Sequence, residues 1–246
     1  MGLHLLLSAM ALISFSTPLP AEDSHPKMKT GEFTAEVTVK VGYRYVIYVP
    51  DEYKQADKKN WPLVVFLHGS GERGEDLDVL TRNGPLKMVA NGHSFPAIVA
   101  SPQAPDHVTW DPHSVKAMVD ALKKEYHIDD DRVYLTGLSM GGYGMGDTIM
   151  EYPRTFAAAV PICGSAGVKF VAAERIKHIP AWIFHGADDN VVPAANSQRI
   201  YDALVEAGGT PKLTIFAGVK HDSWTRTYED TDLWKWLFAQ KRGDGK

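Results

Sequence analysis

Gly137-Leu138-Ser139-Met140-Gly141 is a G-x-S-x-G pentapeptide set between two different kinds of sequence. Before it, Arg132-Val133-Tyr134-Leu135-Thr136 is β-branched, aromatic and apolar, the composition of a buried strand. After it, Gly142 to Glu151 is suited to a helix. A strand that turns sharply into a helix at such a pentapeptide is a nucleophile elbow, which holds its serine out at the end of a sheet. Gly137 and Gly141 flank the turn where a side chain would clash, and Gly142 permits close packing beneath it. A serine hydroxyl is a poor nucleophile at neutral pH, so chemistry at Ser139 requires a base and a group to orient that base.

The surrounding chain supplies the frame for such a turn. Pro62 to Leu67 is a continuous apolar run, as expected of a central strand covered on both faces. Further apolar strands are predicted at Ala97 to Ser101, Phe156 to Ile162, Ala181 to Phe184 and Lys212 to Phe216. Helices are predicted between them, near Gly84 to Asn91, Trp110 to Tyr126, Val171 to Lys177 and Pro193 to Ala207, with a last one over Asp230 to Lys241. Gly208-Gly209 suits the end of the fourth of these helices. Phe33 to Val41 and Tyr43 to Val49 both alternate apolar and polar residues, which reads as a starting antiparallel hairpin of half-buried strands. Strands alternating with helices give an α/β fold: a mostly parallel central sheet with helices on both faces.

Composition narrows the possibilities. The 246 residues are 44% hydrophobic and 23% charged, the balance of one compact domain with a sizeable core. A formal net charge of -4, with both signs spread along the chain, provides no basic stripe for nucleic acid or an anionic membrane. The single cysteine, Cys163, has no internal disulfide partner and reads as a small core residue. Met1 to Ala21 carries an apolar run followed by Leu19-Pro20-Ala21, which reads as a secretory signal cleaved after Ala21. Its start lacks Lys and Arg, which leaves an uncleaved anchor as the alternative. The domain expectation is a signal over 1–21, a linker over 22–32 and a catalytic domain over 33–242, with a secreted or periplasmic location.

In a parallel sheet the loops leaving the carboxyl ends of the strands form the ligand crevice. Three of these loops bear Ser139, the run His185-Gly186-Ala187-Asp188-Asp189-Asn190-Val191-Val192-Pro193, and His221. Here the chain resembles the α/β-hydrolases, in particular the secreted carboxylesterase group that includes feruloyl-esterase-like and phospholipase/carboxylesterase-like enzymes, related to the catalytic domain of prolyl oligopeptidase. The resemblance rests on Leu67 to Asp76, Ser101 to Gln103, Gly137 to Gly144, Ala157 to Gly164, His185 to Pro193 and the His-x-Ser-Trp at His221. It implies an α/β-hydrolase fold, and the segment between Ala157 and Ala181 is too short for a large cap. It also implies catalysis by Ser139, Asp189 and His221, in the chain order of that fold. Asp189 fits the D-x-x-V-P pattern, and Asp188 is one residue out of register.

The same resemblance places the oxyanion donors on the backbone of Met140 and of Ser70, with Gly71 as the alternative. Gln103, Trp110 and Trp224 are candidate substrate contacts, or else loop packing. Glycine at 144 and 146 is costly inside a helix, by about 1 kcal/mol each relative to alanine. His107 and His113 lack metal-site spacing, so no metal and no organic cofactor is expected. The expected activity is a serine carboxylic-ester hydrolase acting through an acyl-enzyme on small-molecule or saccharide esters. A prolyl-oligopeptidase-like peptidase and a non-catalytic binding protein on the same scaffold are the alternatives.

Overall fold

The computed structural model describes residues 31–36, 38, 40–164 and 173–243, together with Met10–Leu12 as backbone. The expected signal cleavage site and most of the expected linker lie outside these residues. The chain divides into two units, Met1–Val41 and Gly42–Lys246. In the first, β1 (Met10–Leu12) pairs antiparallel with β2 (Thr34–Glu36).

The second unit holds a seven-stranded sheet. Its strands are β3 (Arg44–Tyr48), β4 (Trp61–Leu67), β5 (Ile98–Gln103), β6 (Ile128–Leu138), β7 (Ala158–Ile162), β8 (Trp182–Gly186) and β9 (Lys212–Phe216). Their order is β3-β5-β4-β6-β7-β8-β9, parallel throughout except for β3 against β5. The predicted hairpin is therefore corrected: β2 takes β1 as partner, and β3 takes β5, from Arg44 opposite Gln103 to Tyr48 opposite Val99. Alternation marks a half-buried strand but does not name its neighbour.

Each residue of β4 is buried, and period-2 alternation sorts them. Leu63, Val65 and Leu67 face one core, built with α2 (Pro112–Glu125), α3 (Met140–Glu151) and α4 (Ala195–Glu206). Val64 and Phe66 face the other, built with α1 (Gly84–Ala90), α5 (Trp224–Tyr228) and α6 (Thr231–Ala239). Helices thus cover both faces. Asp111 caps α2 by accepting from the Ser114 amide at 2.8 Å. Gly208, at φ +85°, ends α4 in a Schellman motif, with the Gly209 amide donating to Leu204 O at 2.8 Å. Pro62 lacks an amide hydrogen, and the β4–β6 register slips between Trp61 and Leu63; β6 absorbs the slip in its exposed aspartates and begins earlier than predicted. Of the helix expected over Val171 to Lys177, the described part is a short 3-10 turn at 173–175. Among the described residues no helix is long and apolar enough to cross a membrane.

Candidate active site

The site is assembled at the carboxyl ends of β4, β6, β7, β8 and β9. Ser139 sits between the last residue of β6 and the first of α3 at φ 51° and ψ -118°, a strained conformation for a side-chain-bearing residue. Tight neighbours hold it there. A Cβ on Gly137 would lie 2.4 Å from Gly141 O, and one on Gly141 would lie 1.9 Å from Leu67 O, so the helix start is pressed against the end of β4. A Cβ on Gly142 would come within 2.9 Å of Gly164 Cα. The helical glycine at 144 also acquires a reason, because a Cβ there would stand 2.3 Å from Trp110 Cβ.

His221, in the loop after β9, donates from Nδ1 to Asp189 Oδ2 at 2.7 Å. That tautomer leaves Nε2 as acceptor for the Ser139 hydroxyl at 3.0 Å. Asp189 follows β8 with its side chain fully buried. Its Oδ1 accepts from the amides of Val191 at 2.8 Å and Val192 at 2.9 Å. Burial alone would raise its carboxyl, but the hydrogen bonds from His221, Val192 and Val191 outweigh this and hold it below its ordinary value. Asp188 is exposed. A residue with no expected role, His185, completes the carboxylate's shell. Its Nε2 donates to Val192 O at 2.9 Å and approaches Asp189 Oδ2 at 3.1 Å, while Nδ1 accepts from Ser197 Oγ at 2.6 Å.

The loop after β4 lies beside the elbow, since a Cβ on Gly69 would be 3.7 Å from Ser139 Cβ. Ser70 opens a short 3-10 turn and Met140 opens α3, positions whose backbone N–H groups have no intrahelical acceptor. His68 braces this loop from the core. Its Nε2 accepts from the Ala104 amide at 3.0 Å and its Nδ1 donates to Gly69 O at 2.6 Å. Trp110 Nε1 donates to His68 O at 3.1 Å. Gln103 is buried, and its amide donates to Glu72 O at 3.0 Å and Asp76 O at 2.7 Å, bracing the same loop. Trp110 is also packed in the core, yet it lines a cavity of about 410 Å³ that includes Ser139, Met140, Tyr143 and Asp147. Trp224 packs edge-on to His221, ring centroids 5.3 Å apart, and donates to Asn83 Oδ1 at 3.0 Å.

Burial pushes the His68 imidazole from its ordinary 6.5 down to about 4, with the nearby Arg73 adding to the effect and the bond to Gly69 O opposing it. Between these values the unfolded chain binds a proton that the folded chain refuses. The stability tied to neutral His68 is therefore complete above pH 6.5 and is lost as pH falls towards 4, by about 3 kcal/mol. Urea unfolding across this range is expected to show that decline, and His68→Asn is expected to flatten it.

Cys163 corrects the functional expectation. It follows β7, and the sheet order sets that strand beside β6, so Cys163 and Ser139 leave adjacent strand ends. Ligand atoms of Cys163, Asp189 and His221 lie within 4.8 Å of one another. The residue is fully buried, and burial above all pushes its thiol up to about 12, with the Asp189 charge adding, despite the Ser139 backbone N–H beside it. The thiol thus needs a proton acceptor no less than a hydroxyl does. By geometry the hydroxyl is the better placed of the two and the thiol the more hidden.

A parallel sheet in this order, with an elbow and an acid and a histidine leaving separate strand ends, defines an α/β-hydrolase. Residues 78–232 match the dienelactone hydrolase family, and the chain belongs to that family. It is 31% identical over 140 residues to a bifunctional acetylxylan esterase/xylanase of Neocallimastix patriciarum, covering 54% of this chain and 20% of the relative. To a poly(3-hydroxyalkanoate) depolymerase of Paucimonas lemoignei it is 32% identical over 120 residues, covering 43% of this chain and 28% of that one. The chain therefore spans between a fifth and a third of these relatives' length. Among solved structures it is similar to a thermostable esterase at TM-score 0.67 and 34% identity, covering 96% of this chain and 63% of the other.

In a chain of this family, a Cys-Asp-His set overturns the classification as a serine esterase acting through Ser139, Asp189 and His221 alone. Cys163 is the small core residue that the sequence suggests, and the fold also places its sulfur beside the Asp-His pair, where a reactive role becomes open to it. The broader class, an α/β-hydrolase whose Asp-His pair has both a hydroxyl and a thiol near it, stands in its place.

Proposed function

We propose that the chain hydrolyses carboxylic esters by acyl transfer, with His221 as general base and then general acid and Asp189 as the carboxylate that fixes its tautomer. The 2.7 Å bond between them carries the reading, because it aims Nε2 at the elbow. Ser139, Asp189 and His221 are the proposed catalytic residues, with Cys163 as the second side chain whose proton the imidazole is placed to take. The nucleophile yields its proton to Nε2 and attacks the ester carbonyl. The tetrahedral oxyanion is received by the Ser70 and Met140 N–H groups, each such donor worth about 3 kcal/mol in comparable sites. Collapse breaks the bond to the alcohol oxygen, which takes the proton from His221, and water repeats the sequence on the acyl-enzyme.

Relatives named as an acetylxylan esterase and as a polyester depolymerase support an ester as substrate. A relative from Arthroderma benhamiae described as secreted, together with the apolar leader, supports a secreted or periplasmic location. Ser139→Ala and Cys163→Ala, tested separately on p-nitrophenyl acetate, read the two nucleophiles apart when combined with acid quenching and peptide mass mapping. Loss of turnover in one variant, with the acyl group found on the corresponding residue of the wild type, assigns the attacking atom. Full turnover in both variants, with no acylated peptide, would overturn acyl transfer.

A further inference from the structure

His185 stands near the end of β8, fully buried, and the proposed chemistry gives it no proton to move. Its hydrogen bonds settle its tautomer. Val192 O can only accept, so the Nε2 that meets it at 2.9 Å carries a proton; Nδ1, 2.6 Å from the Ser197 hydroxyl, is then the acceptor of a neutral ring. Ser197 is itself buried, in the first turn of α4. The Nε2–H is forked. Its second acceptor, at 3.1 Å, is Asp189 Oδ2, the same oxygen that takes the His221 Nδ1–H at 2.7 Å. One buried carboxylate oxygen thus serves two imidazoles.

We propose that His185 is a positioning residue that sets the strength of the base: by donating to Asp189 Oδ2 it draws part of the carboxylate's charge away from His221, which then releases its proton more readily. The inference rests on His221 acting as base in the reading above. Three observations carry it. A second N–H on the same buried oxygen weakens that oxygen's hold on an imidazolium, since both bonds draw on one charge. The other oxygen is committed to the Val191 and Val192 amides, so the carboxylate cannot turn it towards His221 in compensation. Ser197, donating into Nδ1, polarises the His185 ring and strengthens its Nε2–H as a donor. The remaining titratable groups around the pair are engaged elsewhere. Cys163, after β7, has its thiol pushed up to about 12 by burial and stays neutral. Asp188 and Asp222 are exposed, the latter accepting from the Thr225 amide and hydroxyl. In the loop after β4, His68 is turned to the Ala104 amide and Gly69 O, and Glu72 to Asn83. All of these are common to the variants below.

His185→Phe keeps a planar ring and removes the donor. The acid limb of kcat/KM for p-nitrophenyl acetate, which reports the base of the free enzyme, is expected to move up by about one pH unit. His185→Gln offers an amide N–H close to the position of Nε2 and is expected to restore the wild-type limb. Ser197→Ala, which touches neither Asp189 nor His221, is expected to move the limb the same way by less, and it serves where His185→Phe does not fold. The His221 ring signals of protein carrying isotope-labelled histidine, titrated by NMR, are expected to follow the same order without any substrate. Folded His185→Phe or Ser197→Ala protein with an unmoved or lowered limb overturns the inference, whatever its kcat. So does a His185→Gln variant that moves the limb as far as His185→Phe does. A wild-type protein that hydrolyses no ester overturns the ester reading, and the NMR titration still reads the sharing of charge by itself.

Discussion

Asp189→Asn is expected to lower kcat on p-nitrophenyl acetate by about 10⁴-fold while the protein stays folded, on the scale seen when a triad carboxylate is made an amide. The hydrogen bonds around the carboxylate dictate the result. Oδ1 accepts from two backbone amides, at Val191 and Val192, so the carbonyl oxygen of an asparagine must take that position. Its NH₂ group then faces His221 Nδ1, which has to accept instead of donate. The imidazole proton moves to Nε2, and the ring can no longer take a proton from Ser139 or Cys163. The same NH₂ also meets the His185 Nε2–H, donor against donor. A loss of tenfold or less, in a variant whose thermal unfolding is near that of the wild type, would show that the Asp189–His221 pair is not the base system.

Gly141→Ala is expected to cost about 3 kcal/mol of stability or more, among the larger effects of a single methyl group. The new Cβ would lie 1.9 Å from Leu67 O, 2.5 Å from Leu67 C and 2.8 Å from His68 O. These atoms belong to the backbone at the end of a wholly buried central strand, so they cannot rotate away as a side chain would. Gly71→Ala, where a Cβ meets nothing within 4 Å, serves as the matched control and should be close to neutral. Urea midpoints for the two variants make the comparison. Equal stabilities would mean that the contact between elbow and β4 is looser than the geometry implies.

Much of this architecture was legible in the residues. The six parallel strands each hold a short apolar run, and Ser139, Asp189 and His221 each stand past the end of one. The rest depended on which strands become neighbours, and that is where reading along the chain loses its hold. Alternation over Tyr43 to Val49 identified a half-buried strand but not its pairing with β5. Cys163 looked like core packing because its nearness to Asp189 and His221 exists only once β7 lies between β6 and β8. Gln103 has the residue type of a substrate contact, and its amide is instead committed to the carbonyls of Glu72 and Asp76. His185 was part of the matching run, yet only the fold shows it beside the carboxylate.

The pairing of groups from distant strand ends also governs when the site comes into being. His221 and Ser139 are 82 positions apart, and Trp224 and Asn83 are 141 apart. Contacts across such separations form slowly, because the entropy of closing the intervening chain has to be overcome before they contribute. No short fragment contains both the imidazole and the hydroxyl it faces. A nascent or partly refolded chain can hold the central strands without an assembled centre, which makes the proposed hydrolysis a late reporter of folding, completed only when β9 docks on β8 and brings His221 to the elbow.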